Sequence, residues 1–176
     1  RSPYSKERID RVMLPNAQPF LLIFLVLGMV TLQPLVSHYF PEMALLIDLP
    51  LLALLYTTFT QQSLILILFL SSSVGVLQDS QTVDLLGLNG FRNLVVCTLA
   101  YLSGTMIVVD HILTRFSIVW ISFVLSDFIS WLLKVFFLNH YEVLNFYQIL
   151  LGASLSTVIG IFLFIALDKI LKIEDR

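Results

Sequence analysis

Six stretches of this chain are too apolar and too long to serve as the core of a soluble domain, and one of them carries an aspartate at its midpoint. Of 176 residues, 58% are hydrophobic and only 12% are charged. Soluble domains usually carry about 25% charged residues. A mean hydropathy of +0.93 agrees with that contrast. Crossing a hydrocarbon layer of roughly 30 Å takes about 20 apolar residues in a helix. Six crossings use roughly 120 residues, which leaves short connections and room for a single transmembrane domain spanning residues 1–176. The expected fold class is therefore an all-α integral membrane protein, a six-helix transmembrane bundle in the lipid bilayer.

The apolar runs predict helices at about Pro19–Val36, Met43–Phe59, Leu64–Gln78, Asn93–Val109, Phe116–Leu138 and Tyr147–Ile170. The segment from Met43 to Leu77 is one apolar run broken by Thr57, Thr58, Thr60, Gln61, Gln62 and Ser63. As one helix it would be about 52 Å long, more than a bilayer accepts, so a hairpin is expected there. Pro50 either kinks the second helix or marks its true start, with Asp48 as N-cap. The first apolar run lacks a small-residue cleavage site and reads as a retained first helix, not a signal peptide.

Lysine and arginine set the orientation. Arg1, Lys6, Arg8 and Arg11 precede the first helix, and Lys169, Lys172 and Arg176 end the last. Both ends are expected in the cytoplasm, which requires an even number of crossings. Arg115 then also lies inside, so eight of the ten basic residues do. Arg92 falls in an outer loop. Lys134, within helix 5, can snorkel to the interface. A net charge of −2 offers no basic surface for nucleic acid.

Three features could carry function. Asp127 lies eleven residues from each end of helix 5. A central aspartate costs about 2.5–3.5 kcal/mol in insertion experiments. A partner in the bundle, a proton or an accompanying subunit must offset that cost. The simpler reading is a protonated Asp127 bonded to a backbone carbonyl or a nearby serine. Lys134 shares its face but stands roughly 10 Å further along the axis, too far for a direct pair. On helix 6, Gly152, Ser156 and Gly160 recur every fourth residue, flanked by Ala153 and Thr157. Such a strip lets another backbone approach closely, within the bundle or from a partner. With Asp127 and Trp131 on helix 5, it forms the candidate surface for a partner helix.

The third feature is the junction of helices 3 and 4, Gly75-Val-Leu-Gln-Asp79 followed by Asp84-Leu-Leu-Gly87-Leu-Asn-Gly90-Phe91-Arg92-Asn93. A carboxylate at the end of a helix opposes the helix dipole. Asp79 therefore needs a specific partner, either Arg92 or a backbone amide at the start of helix 4. Gly87 and Gly90 permit left-handed turns. The segment either folds back into the membrane edge or makes a tight polar turn.

Much chemistry is set aside. Asp79 and Asp84 lack a third ligand close by, so no metal site is expected. No HExxH, no serine nucleophile with a base and no glycine-rich phosphate loop is present. The single Cys97 can form no internal disulfide. No cofactor is expected, and Trp120 and Trp131 read as packing and interfacial belt residues.

Gly75-x-x-x-Asp79 closing helix 3, followed by Leu86-Gly87-x-x-Gly90-Phe91, resembles the rod shape-determining protein MreD family. The run Asp48 to Tyr56 looks like that family's second helix, and Asp127-Phe-Ile-Ser-Trp131 like a later one. The chain departs from the family's pattern in having Ile47 where a proline often precedes the Asp-Leu pair, with the proline at Pro50 instead. The likeness spans nearly the whole chain in length and helix count. It implies a non-enzymatic scaffold of cell-wall elongation in the bacterial cytoplasmic (inner) membrane. Its partner would be an MreC-like bitopic membrane protein. Through that partner it would reach an MreB-like filament, a RodA-like glycosyltransferase and a penicillin-binding transpeptidase. A homo-oligomer is also possible. The family is similar in architecture to the substrate-binding subunits of energy-coupling-factor transporters. The alternative is therefore a small-molecule, vitamin-like binding subunit.

Overall fold

The computed structural model describes residues 19–41, 47–60, 63–81, 87–106, 112–138 and 145–170. Within them the elements are six helices: α1 Pro19–Tyr39, α2 Leu49–Thr60, α3 Leu64–Gln81, α4 Leu88–Met106, α5 Ile112–Leu138 and α6 Phe146–Ile170. No strand occurs among the described residues.

Four of the six, α1, α3, α5 and α6, are long and apolar enough to cross a membrane. Six crossings were expected, and the two helices that fall short do so for different reasons. α2 has 12 residues, about 18 Å of helix against a hydrocarbon core of roughly 30 Å. α4 has the length but begins Leu-Asn-Gly-Phe-Arg-Asn, which dilutes its apolar character.

α2 starts later than expected because Asp48 caps it. The Asp48 carboxylate accepts the Leu51 N–H at 3.0 Å, as an N-cap side chain does. Pro50 follows inside the first turn, where a missing N–H costs nothing. Residues 43–46, which the expected second helix included, lie outside the described residues. The threonines that looked like an interruption belong to the helix. Thr57 and Thr58 donate to the Leu54 carbonyl at 2.7 and 2.8 Å, and Thr60 donates to Tyr56 at 3.0 Å. Each hydroxyl is satisfied by its own helix and can be buried. The hairpin break falls where the polar run ends: Ser63 precedes α3, and its carbonyl accepts the Ile67 N–H.

α2 is the central pillar. Leu51, Leu52, Leu54 and Leu55 are each at most 1% exposed, and α1, α3, α4 and α6 all pack on it. The opposite pattern marks the periphery. Phe20, Phe24, Ile65, Phe69, Phe136 and Phe162 are each more than two-thirds exposed. So much exposed aromatic and aliphatic surface is what a lipid-facing perimeter needs, and far exceeds the scattered apolar residues of a soluble surface.

The contacts between helix ends fix the direction of the chain. Near the end of α1, Gln33 donates to the Ile47 carbonyl and accepts the Leu49 N–H, at 3.1 and 3.2 Å. The end of α1 therefore adjoins the start of α2. At the far end of α2, the Tyr56 hydroxyl donates to Asp168 at 3.0 Å. Arg115, in the first turn of α5, pairs with the same carboxylate at 2.9 Å. The start of α5 and the end of α6 thus share the level of the end of α2. α1 and α2 pack side by side with the end of α1 at the start of α2, so the start of α1 lies toward the end of α2. The chain enters α1 and leaves α6 on the same side.

Candidate functional site

Polar side chains from three helices meet at the other end of α2. Asp48 stands before α2, Gln78 lies in the last turns of α3, and Arg92 and Asn93 lie in the first turns of α4. Arg92 bonds the Asp48 carboxylate at 2.6 Å. Its Nε and a terminal nitrogen also donate to the Asn93 side-chain oxygen at 3.1 and 3.0 Å. Asn93 donates in turn to Gln78 at 2.7 Å, and Gln78 donates to Asp48 at 3.2 Å. The network closes on itself. Its ion pair is mostly covered, at 12% and 23% side-chain exposure, and Asn93 is fully buried.

Beside this network lies the α3–α4 junction. Asp79 is buried. It accepts the Gly87 N–H at 2.6 Å and the Asn89 N–H at 3.1 Å. Of the two candidate partners for Asp79, the backbone amides at the start of α4 are thus present. This explains why α4 begins at Leu88 and not at Asn93 as expected. A carboxylate bonded to the free amides of a helix start is also favoured by its dipole. Phe91 and Arg92 therefore belong to a helix and not to an outer loop. Gly87 carries the turn with φ +101°, a conformation that favours glycine.

Gly75 and Gly90 are where α3 and α4 touch. A methyl group added at Gly75 would overlap the Cα and nitrogen of Gly90 and the carbonyl carbon of Asn89. The two backbones are in direct contact, which only a glycine at position 75 allows. Gly75, Asp79, Gly87 and Gly90 thus form one physical unit, a crossing point with its own cap. Phe91 points away and is half exposed. Residues 82–86 lie outside the described residues.

The strip on α6 is covered by the chain itself. Gly152, Ala153, Ser156, Thr157 and Gly160 are all buried. A methyl group at Gly160 would stand 2.5 Å from the Cδ2 of Leu52 and 3.9 Å from Val119. The strip therefore receives α2 and α5, and the outward face of α6 is a different one. The contact at Gly160 gives a graded expectation. Gly160→Ala needs only a rotation at the tip of Leu52 and changes stability little. Gly160→Leu overfills the contact and costs about 1–3 kcal/mol. Thermal unfolding in detergent, compared across the two variants, checks the grading.

Asp127 lies on α5 and is only partly buried. Among the described residues it makes no hydrogen bond. Its neighbour in the expected surface, Trp131, is half-buried, with its ring 6.0 Å from that of Phe128.

The Asp48–Gln78–Arg92–Asn93 network was missed in the sequence. Its signal was present: four polar residues, each at the edge of an apolar run, at one depth if the helices alternate in direction. Chemically the network is a clasp. Its carboxylate, amides and guanidinium answer one another. Among the described residues no three His, Cys, Asp or Glu side chains gather as metal ligands would. No protein-family model, curated protein or solved structure matches this chain.

Proposed function

We propose that the chain is a multi-pass, non-enzymatic scaffold of the MreD kind in the bacterial cytoplasmic membrane. It would hold an MreC-like single-span partner and so link a cytoskeletal filament to peptidoglycan synthases. Both ends face the cytoplasm in this reading, with α2 and α4 completing six crossings. One observation carries it. The residues of the resemblance at the α3–α4 junction act together: Gly75 and Gly90 make the crossing, Asp79 caps α4, and Gly87 supplies the turn.

The physical logic of a scaffold also suits the distribution of polar groups. The two ion pairs among the described residues, Asp48–Arg92 and Arg115–Asp168, tie helix ends to one another. A clasped set of helices presents fixed outer faces, and fixed faces are what a partner helix recognises in lipid.

Co-expression of the full chain with an MreC-like protein, followed by purification in mild detergent, tests the reading. A stoichiometric complex is expected. Recovery of the chain alone, folded and monodisperse, would count against it. A vitamin-sized ligand retained in native mass spectra would favour the transporter-subunit alternative instead.

A further inference from the structure

Two contacts with α6 set the depth of the Asp48–Arg92 pair. Leu52 of α2 and Val119 of α5 both close on Gly160 of α6, so these three residues share a level. Asp48 precedes Leu52 by one turn, about 6 Å, which sets it near Ser156. The Tyr56 hydroxyl reaches Asp168, and Asp48 lies about 12 Å of helix before Tyr56, which sets it near Gly160. The apolar span of α6 runs from Phe146 to Lys169, with its middle at Thr157 and Val158. Both contacts therefore put the ion pair at mid-span, and α6 continues for about 15–20 Å past it. α2 is a half-length helix whose capped start stands in the middle of the membrane.

An ion pair at that depth must be sealed by protein or wetted. This one is not sealed. Arg92 and Asp48 keep 12% and 23% side-chain exposure. Nε and Nη2 of Arg92 bond Asn93 and Asp48. Its Nη1 has no acceptor among the described residues, and no side-chain nitrogen or oxygen lacking a partner is buried there. Nη1 therefore borders open space. Toward the chain ends the way is shut by α2 itself, whose Leu51, Leu52, Leu54 and Leu55 are at most 1% exposed. In the other direction α2 has stopped, while α5 and α6 continue and α1 runs on past Gln33 to Tyr39.

The unspent bonding capacity defines what fits. Asp48 accepts from Leu51, Gln78 and Arg92, and the Asn93 oxygen takes two bonds from Arg92. What remains is a donor, Nη1, on a guanidinium whose charge Asp48 already answers. Asp79 adds a further carboxylate beside the clasp. A small anion meets repulsion there, and any ion is costly at this depth. A carbonyl or hydroxyl oxygen on an uncharged molecule meets neither obstacle.

We propose that a polar recess opens on the membrane face away from the chain ends, reaches the mid-membrane clasp, and binds a small uncharged solute through an acceptor oxygen on Arg92 Nη1. This goes beyond the scaffold reading and does not depend on it.

Two single-cysteine chains test it, both carrying Cys97→Ala so that no native thiol remains. Asn89 stands one turn before Asn93 on the same face of α4, on the open side of the clasp. Phe91, in the same turn, points away and is half exposed. A cationic, membrane-impermeant thiosulfonate is added to sealed membrane vesicles holding the full chain, right-side-out or inverted. From the face away from the chain ends, Asn89→Cys should react at least about tenfold faster than Phe91→Cys, because only a thiolate reacts and an apolar setting suppresses it. From the face of the chain ends neither should react. An excess of acetamide should slow Asn89→Cys at least about twofold, as half-occupancy of the recess would, and the same excess of acetate should not. Arg92→Lys keeps a cation for Asp48 but has no second terminal nitrogen, so the acetamide effect should vanish in it. Unfolding temperatures of all variants control for folding.

Equal rates at the two cysteines overturn the proposal. Slow reaction at both would mean that the clasp is covered, and fast reaction at both that this end of α4 stands at the membrane surface. Modification of Asn89→Cys from the face of the chain ends overturns it too, as does slowing by acetate equal to that by acetamide. An acetamide effect that survives Arg92→Lys removes Arg92 as the anchor.

Discussion

Gly75→Ala should unseat α4 from α3 and lower stability by about 3 kcal/mol, the upper end of the usual range for overpacking. The reason is the nature of what the new methyl meets. It would overlap the main chain of Gly90 and Asn89, which cannot rotate aside as a side chain does. The two helices must separate, and Asp79 would then lose its grip on the Gly87 and Asn89 amides. An alanine also favours helix over glycine by about 1 kcal/mol, so the observed loss is net of that gain. The reciprocal substitution is a sharp control. A methyl at Gly90 meets nothing nearer than the Ser72 carbonyl oxygen at 3.4 Å, with the Cγ2 and backbone nitrogen of Val76 at 3.7 Å. Gly90→Ala should therefore be near neutral, although it sits at the same crossing. Thermal unfolding in detergent, followed by circular dichroism, measures both. Equal unfolding temperatures for the two variants would show that the crossing is looser than described.

Arg92→Leu is the second large effect. It leaves the Asp48 carboxylate with the Leu51 N–H and Gln78 but no cation. Fully buried pairs lose about 3–5 kcal/mol when one partner is removed. This pair is 12% and 23% exposed, so solvent reduces the loss to about 2 kcal/mol. Adding Asp48→Asn should restore much of it. The asparagine still caps α2, and no charge is left unanswered. A double-mutant cycle in the same detergent isolates the coupling. Additive losses would mean that the ion pair contributes nothing and that the amides of Gln78 and Asn93 hold the helix ends alone.

The two variants probe different scales of the same end of the molecule. Gly75 governs how close two backbones come. Arg92 governs whether three helix ends stay together.

Much of this architecture was legible in advance. The boundaries of α3, α5 and α6 follow the apolar runs closely, because a helix in lipid must satisfy its own backbone and extends as far as apolar residues allow. The Asp48 cap was one of two alternatives, and the geometry at Leu51 decides for it. Asp79 was recognised as needing a partner because a carboxylate at a helix end is out of place there. That its acceptors serve α4 moved the start of that helix five residues earlier than expected (93 − 88). Hydropathy missed those residues because Asn89, Arg92 and Asn93 look like a loop when read alone. They are helical because the Asn89 N–H is held by Asp79, while the Arg92 and Asn93 side chains find Asp48 and Gln78.

The α6 strip shows the limit most plainly. Small residues every fourth position announce a close contact but not its owner. The periodicity of Gly152, Ser156 and Gly160 is the same whether Leu52 of this chain or another protein fills it. Composition, hydropathy and the pattern of charge sufficed for an all-helical chain with helices built to span a membrane and for the residues that would be awkward in lipid. Which of those awkward residues answer one another was settled only when the helices packed. Pairing across Asp48 and Arg92 or Tyr56 and Asp168 depends on distances between segments far apart in the chain, and local preference carries no information about such distances.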